Sequence, residues 1–356
     1  MFLVRTALGI CLSAVLILAS AQDAAALLER SRSEGPVWAQ GDTLTFVYEG
    51  EADSVRLCCG LQESLRRLPE SDVWTLSKSI PDLSEGAFSY AFIVDDVFPQ
   101  SFSFWRGEDA PALPERLESL TGEVSSHTLE SIHLGESREI FVYIPPDYEA
   151  AKLLGLPVVY LADGASVFEY AHFVEPLINE GALPQMLLVG IESGTSEPDE
   201  DGDYSLETDM RAREYIPDEA DERFFEHERF VLEEVLPWAQ TEFGASAKRS
   251  ERIVYGHSNG GVFAAAMGIR NPDVFGYALP FSVGVDPTDI LDYEPVETEF
   301  YFVAGTLEEG FFSSTQALAE RLAADTISVF KKRVAGHDFV MWEEEFPKAL
   351  LWVFGR

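Results

Sequence analysis

The sequence contains few cysteines and few basic residues. It has three cysteines, and its 25 Lys and Arg face 62 Asp and Glu in 356 residues, giving a formal net charge of −37 at pH 7. Phosphate backbones and anionic membrane surfaces repel such a chain, so we expect no nucleic-acid partner. Cys58 and Cys59 are adjacent, and neighbouring cysteines rarely meet disulfide geometry. We therefore predict two small core residues and no disulfide framework.

The N-terminal apolar run is too short to cross a bilayer. Arg5 precedes apolar residues 7–18, and the small residues 19–21 suit signal peptidase. A membrane-spanning helix needs about 20 apolar residues. We predict a signal peptide over residues 1–21, export to the periplasm or the cell exterior, and no stable membrane insertion after its removal. A retained N-terminal anchor is the alternative.

The first part of the remaining chain has the alternation of antiparallel strands. With 46% hydrophobic residues the chain can bury a large core and has room for two domains. Short alternating segments separated by turn residues run through residues 36–106 and predict a small immunoglobulin-like β-sandwich. Residues 22–35 and 107–126 are predicted to be linkers, the second because of its prolines and charges.

Residues 127–356 follow a different pattern. Apolar, strand-like runs alternate with helix-length stretches, which predicts a mostly parallel sheet covered by helices, an α/β fold. The predicted strands are 139–144, 156–161, 186–191, 252–255, 277–281, 299–303 and 327–333.

An acidic stretch over residues 197–228 resembles a calcium loop only superficially. If Asp199 opened such a loop, Tyr204 would occupy the position that needs glycine, and Met210 the position of the closing carboxylate. We predict a solvated acidic loop, and no metal or cofactor anywhere in the chain.

The nucleophile is predicted from one pentapeptide and its context. Residues 256–260 read Gly-His-Ser-Asn-Gly, after an apolar strand and before a helix-forming run at 262–269. This is the nucleophile elbow of the α/β-hydrolase fold, in which small residues permit a tight strand-to-helix turn around the serine. Ser258 is the predicted nucleophile.

A serine needs a histidine base, and in this fold the chain order is serine, acid, histidine. His337 follows the last long strand and satisfies that order, whereas His257 is predicted to be a packing residue. The orienting acid should follow the preceding strand, where Glu308 is preferred to its neighbour Glu309. Asp338 is predicted to be a loop or cap residue.

The oxyanion formed on acyl transfer needs two backbone N–H donors. Asn259, directly after the nucleophile, should supply one. The second should come from the loop after the 156–161 strand, where Gly164 permits a turn that aims the next amide inward. We assign it to Ala165.

These residues resemble a known family, the esterases that include esterase D, enterochelin esterases, feruloyl esterases and mycolyltransferases. The resemblance spans nearly all of the second region. It rests on residues 143–148, 160–164, 213–217, 234–238, 256–261, 271–275 and 336–338. It implies the same triad and the same oxyanion donors, and its enterochelin-esterase branch carries an N-terminal sandwich. Asn259 and Glu309 depart from the residues common in the family, which bears on the substrate and not on the reaction type.

Together these patterns predict an exported serine carboxylic ester hydrolase. Its substrate would be a small-molecule or glycan-linked ester, of siderophore, feruloyl or acetyl type. An acyltransferase with the same triad and an inactive hydrolase scaffold that only binds are the alternatives, and the oligomeric state is left open. Because every triad candidate lies beyond residue 250, we expect the sandwich to shape substrate access without supplying catalytic groups.

Overall fold

The chain divides into two compact units. A computed structural model describes residues 23–196, 208–289 and 297–355. The first unit contains the described residues up to Pro111 together with Val334–Asp338, and the second contains those of Ala112–Arg333 and Phe339–Arg356. The predicted signal peptide and the run 199–203 lie outside the described residues.

The first unit begins with a helix, α1, at residues 23–34, where the sequence predicted a linker. The linker prediction is wrong because Ala24, Leu27 and Leu28 are apolar at helical spacing. They pack against Trp38 and Val47, and this burial holds the segment in a helix.

Antiparallel strands in two sheets make up the rest of this unit. One sheet has the order β1-β2-β5-β4 and the other the order β3-β6-β7. Their bounds are β1 Val37–Gln40, β2 Thr43–Glu49, β3 Val55–Cys59, β4 Arg66–Arg67, β5 Val73–Ser79, β6 Ala87–Val94 and β7 Ser103–Arg106, with a 3-10 turn at Leu83–Glu85.

The two sheets pack face to face through aromatic side chains. Phe46 of β2 meets Tyr90 of β6 with ring centroids 5.4 Å apart, and Tyr48 meets Phe92 at 5.7 Å. This confirms the predicted immunoglobulin-like sandwich.

The adjacent cysteines form a disulfide, contrary to prediction. Cys58 is bonded to Cys59, with their Cα atoms 3.7 Å apart. Neighbours in a regular strand point to opposite faces, but Cys59 has a φ of 78°, which breaks that alternation and lets the two sulfur atoms meet.

The second unit is built on one eight-stranded sheet of order β15-β14-β13-β12-β10-β11-β9-β8. The strands β10 to β15 run parallel to one another, whereas β9 pairs antiparallel with both β11 and β8. The bounds are β8 Glu123–Glu130, β9 Ser137–Ile144, β10 Val158–Ala162, β11 Leu187–Ile191, β12 Arg252–His257, β13 Tyr277–Phe281, β14 Glu299–Gly305 and β15 Ser328–Arg333. All seven predicted strands are present. The predicted linker over 107–126 extends too far, because β8 begins at Glu123 and pairs with β9.

Helices cover this sheet. They are α2 Tyr148–Ala151, α3 Val167–Asn179, α4 Met210–Tyr215, α5 Arg223–Arg229, α6 Leu236–Phe243, α7 Asn259–Arg270, α8 Glu309–Leu322 and α9 Phe339–Phe354, with a π-helical segment at Phe230–Val235 and 3-10 turns at Lys152–Leu154, Gly164–Ser166, Arg249–Glu251 and Pro287–Asp289. The central helix α7 is buried almost throughout, among the apolar side chains of β10, β12 and β13. The fold is therefore the α/β-hydrolase fold.

No helix among residues 23–196, 208–289 and 297–355 is long and apolar enough to span a membrane.

Candidate active site

Ser258 occupies a strained turn at the carboxyl end of the central strand β12. It lies between β12 and α7 with φ 57° and ψ −125°. A residue with a side chain adopts a positive φ only when its surroundings enforce it. Its amide donates to Phe281 O at 3.0 Å, and its carbonyl accepts from Gly261 N at 2.9 Å. The turn therefore has the backbone expected of a nucleophile elbow.

Glycines make this turn possible. A Cβ on Gly256 would overlap the carbonyl oxygen of Gly260, and one on Gly261 would overlap the carbonyl oxygen of Phe281. A Cβ on Gly260 would stand 3.0 Å from both Ala162 Cβ and a carboxylate oxygen of Asp163. The flanking positions must therefore be small, for the reason given by the sequence pattern.

Glu308 is buried and held in one orientation. It follows β14, and its Oε1 accepts hydrogen bonds from Gly305 N at 2.7 Å and from Ser282 Oγ at 2.8 Å. Its neighbour Glu309 is exposed. The strands before Ser258 and Glu308 flank β13 on either side, so both residues follow the carboxyl ends of strands at the same edge of the sheet.

Two residues beside Glu308 were missed by the sequence reasoning. Ser282 is fully buried directly after β13, and Trp342 Nε1 of α9 donates to its Oγ at 2.8 Å. The indole N–H thus fills the acceptor position of the hydroxyl, which points its proton at Glu308. The position of Ser282 at a strand end was the signal that could have suggested it.

His337 is half-buried and lies in the segment Val334–Asp338, which groups with the first unit. Ser258 and Glu308 lie in the second unit. The role of His337 as base stays a prediction.

The loop after β10 carries an unexpected contact. The Ala165 amide donates a 3.0 Å hydrogen bond to Oε2 of Glu192. The left-handed residue of this loop is Asp163, with φ 57°, and not Gly164 as expected. Gly164 is required for a different reason, because a Cβ there would stand 2.8 Å from Glu192 N.

Glu192 is partly buried and next to other carboxylates. Burial raises the pKa of its carboxyl, and repulsion from Asp163 and Glu139 acts in the same direction, while the Ala165 N–H opposes both. In the structure, then, the Ala165 amide that the sequence assigned to the oxyanion already donates its hydrogen bond to the Glu192 carboxylate.

An arginine ties this loop to the elbow. Arg211 of α4 binds Asp163 through two hydrogen bonds of 2.5 and 2.8 Å, and it also donates to His257 O at 3.3 Å. The His257 ring stacks on Trp342 with centroids 4.1 Å apart. His257 is therefore a packing residue beneath the elbow, as its side-chain contacts show.

A cavity of about 750 Å³ lies beside α4. Four of the residues that line this cavity form two ion pairs with one another: Arg213 binds Asp221, and Arg223 binds Glu136. The remaining described lining residues are Leu134, Gly135, Gly194, Thr195, Thr208, Met210, Glu222 and Glu226.

Comparison with known proteins points to one family. Residues 131–302 match the model of the family described as Putative esterase. The ferri-bacillibactin esterase BesA of Bacillus subtilis (strain 168) is 28% identical over 153 residues, which cover 39% of this chain and 52% of that protein. The chain thus spans about half the length of this curated relative.

Solved structures share the fold over a larger part of the chain. The enterobactin esterase of Shigella flexneri has a TM-score of 0.67 at 17% identity and covers 90% of this chain and 95% of its own. The ferric enterobactin esterase of Salmonella typhimurium has a TM-score of 0.66 at 17% identity, covering 92% and 98%. A ferulic acid esterase of Anaeromyces mucronatus has a TM-score of 0.53 at 18% identity, covering 68% and 95%.

Proposed function

We propose, from the match of residues 131–302 to the Putative esterase model, that this chain is an exported serine esterase that hydrolyses carboxylic ester bonds. One observation carries the proposal: Ser258 has a left-handed backbone between a buried strand and the first residue of a buried helix. This turn holds a serine hydroxyl clear of the sheet, and the positive end of the helix dipole behind it favours developing negative charge.

The proposed reaction uses Ser258, His337 and Glu308. The Ser258 oxygen attacks the ester carbonyl while the His337 imidazole accepts the hydroxyl proton, and that proton then passes to the departing alcohol. Water, deprotonated by the same imidazole, attacks the acyl-serine. The bond between the acyl carbon and the Ser258 oxygen then breaks, the imidazolium returns its proton to that oxygen, and the carboxylic acid leaves. Glu308 orients the imidazole and stabilises its protonated form, which a carboxylate fixed by Ser282 and Gly305 can do without reorganising.

The proposed oxyanion donors are the amides of Asn259 and Ala165. The Asn259 amide begins α7 directly after the nucleophile. The Ala165 amide is bound to Glu192, so that carboxylate must release it when an ester enters.

The proposed substrate is a small-molecule or glycan-linked ester. The similar proteins are named as esterases of ferri-bacillibactin, enterobactin and ferulic acid. A substrate panel should therefore contain a catecholate lactone, a feruloyl ester, acetyl-xylan and a short acyl ester.

Fluorophosphonate labelling tests the nucleophile directly. The label should be found on Ser258 by peptide mass spectrometry, and Ser258→Ala should lower ester hydrolysis by more than about a hundredfold while the melting temperature is kept. Ser313→Ala removes an exposed serine of α8 and serves as the matched control. Labelling at another residue, or turnover retained by Ser258→Ala, would contradict the proposal.

Two further measurements test the remaining parts. Added alcohols separate hydrolysis from acyl transfer, because a transferase would give ester products instead of the free acid. N-terminal sequencing of the exported protein should begin at Gln22 if the signal peptide ends at Ala21.

A further inference from the structure

The segment that carries His337 is part of the first unit. Val334–Asp338 follows β15 in the chain, yet it groups with the residues of the sandwich. The sequence predicted that the sandwich shapes substrate access without supplying catalytic groups, yet the predicted base lies within the same compact unit.

Both ends of this segment are hydrogen-bonded to strand β6. At one end, Val334 O accepts from Ala87 N at 3.0 Å. At the other, Asp338 Oδ2 accepts from Ser89 N at 2.7 Å and from Ser89 Oγ at 2.9 Å. Ser89 and Asp338 are 249 residues apart in the chain, so only the folded unit brings them together.

The middle of the segment is held by close packing of two glycines. A Cβ on Gly336 would overlap the backbone of Gly60. A Cβ on Gly60 would in turn overlap the Asp338 carboxylate and stand 2.6 Å from Phe88 Cβ. Gly60 N also donates to Ser89 O at 3.0 Å, which fixes Gly60 to the same strand. His337 therefore lies in a five-residue segment held at three points.

The contact to Ser89 involves a buried carboxylate. Asp338 is 5% exposed and Ser89 is 7% exposed. Hydrogen bonds to a buried charged group are stronger than neutral ones, and removing a partner leaves charge that water cannot solvate. The two bonds from Ser89 thus resist movement of the residue next to His337.

We propose that Ser89 is a positioning residue for catalysis, which holds the His337 loop through the Asp338 carboxylate. The sandwich then orients the base of the proposed triad, in addition to any effect on substrate access. The proposal rests on the proposed function, because it assigns Ser89 a role only through His337. Misplacement of a catalytic group by about 1 Å can cost about a hundredfold in rate, so loss of one such contact should be measurable in turnover.

The test is steady-state kinetics of the full chain with a small activated ester. Ser89→Ala keeps the backbone N–H but removes the hydroxyl, and it should lower kcat about tenfold with KM within about twofold of the wild-type value. Asp338→Asn should give a comparable or larger loss. Ser77→Ala is the matched control, because it removes the hydroxyl bonded at 2.9 Å to Thr45 in the same sandwich, and it should leave kcat within about twofold.

A second background separates positioning from general damage. In a chain that already carries His337→Ala, Ser89→Ala should change the residual rate by less than about twofold, since its effect would pass through the missing imidazole. An equal loss in both backgrounds would overturn the proposal, as would wild-type kcat in a folded Ser89→Ala protein. If His337→Ala itself kept full turnover, the proposed triad would fail instead, so the two failures are distinguishable.

Discussion

Ser282 Oγ lies 2.8 Å from Oε1 of Glu308, although 26 residues separate the two in the chain. Trp342 completes this arrangement from α9 by donating to the same hydroxyl. The acid of the proposed triad is thus oriented by the Ser282 hydroxyl and the Gly305 amide, and the Trp342 indole in turn orients that hydroxyl. All three residues belong to the second unit.

The first prediction separates the adjacent carboxylates Glu308 and Glu309. Glu308→Gln should reduce turnover strongly, because an amide supports the wrong imidazole tautomer. The analogous change in a serine protease costs about ten-thousandfold. Glu309→Gln, at an exposed position, should change turnover by less than about threefold. Measured kcat values in the reverse order would move the acid to Glu309.

The second prediction concerns the group that orients Glu308. Ser282→Ala removes one of its donors and should lower kcat about tenfold. Trp342→Phe keeps an aromatic ring against His257 but removes the indole donor, and it should cause a smaller loss. Trp352→Phe makes the same change elsewhere on α9 and should leave kcat within about twofold. Equal effects of the two tryptophan variants would argue against the arrangement.

The third prediction concerns Glu192 on the Ala165 amide. Glu192→Ala should free this donor and raise kcat/KM for a small ester severalfold, because no carboxylate then competes with the oxyanion. Glu192→Gln keeps a hydrogen-bond acceptor without the negative charge. Its kcat/KM should therefore lie between the values of the wild type and of Glu192→Ala. Glu149→Gln changes an exposed carboxylate of α2 that does not act on Glu192 and is the control. A fall in kcat/KM for both Glu192 variants would show that the carboxylate contributes to the reaction.

The fourth prediction concerns acid stability. His227 is fully buried, and burial, with the charges of Arg138 and Arg223, lowers its pKa to about 3. Among the described residues neither ring nitrogen of His227 has a hydrogen-bond partner, although Nδ1 lies 3.4 Å from Glu214 Oε2. The unfolded chain binds the proton near its usual pKa of 6.5, so this group's stability contribution is complete above pH 6.5 and is lost as the pH falls towards 3.

His227→Phe should therefore flatten the fall in melting temperature between pH 6.5 and 4. The ring would keep its contact with Phe263, whose centroid lies 5.2 Å from that of His227. Over the whole range between the folded and unfolded pKa values, one such histidine lowers the free energy of unfolding by roughly 5 kcal/mol. An unchanged slope in His227→Phe would contradict the buried neutral histidine.

Local patterns were enough to predict much of the fold and the centre of the site. The seven strands of the second region, the sandwich and the turn at Ser258 follow from alternation, apolar runs and glycine placement, which act over a few residues. The preference for Glu308 over Glu309 also came from spacing alone, and it agrees with their burial. The predictions at 22–35 and over the end of 107–126 were wrong because α1 packs its apolar side chains on the sandwich and because β8 pairs with β9, and neither partner is visible in the segment itself.

What the amino-acid sequence determined by itself was the backbone of the elbow and the alternation of strands and helices. The tertiary structure alone decided which side chains surround them. Ser282 reaches Glu308 across 26 residues, Glu192 reaches Ala165 across 27, and Ser89 reaches Asp338 across 249. Backbone dihedral angles depend on neighbours in the chain, whereas these hydrogen bonds form only after strands distant in sequence have paired and excluded water.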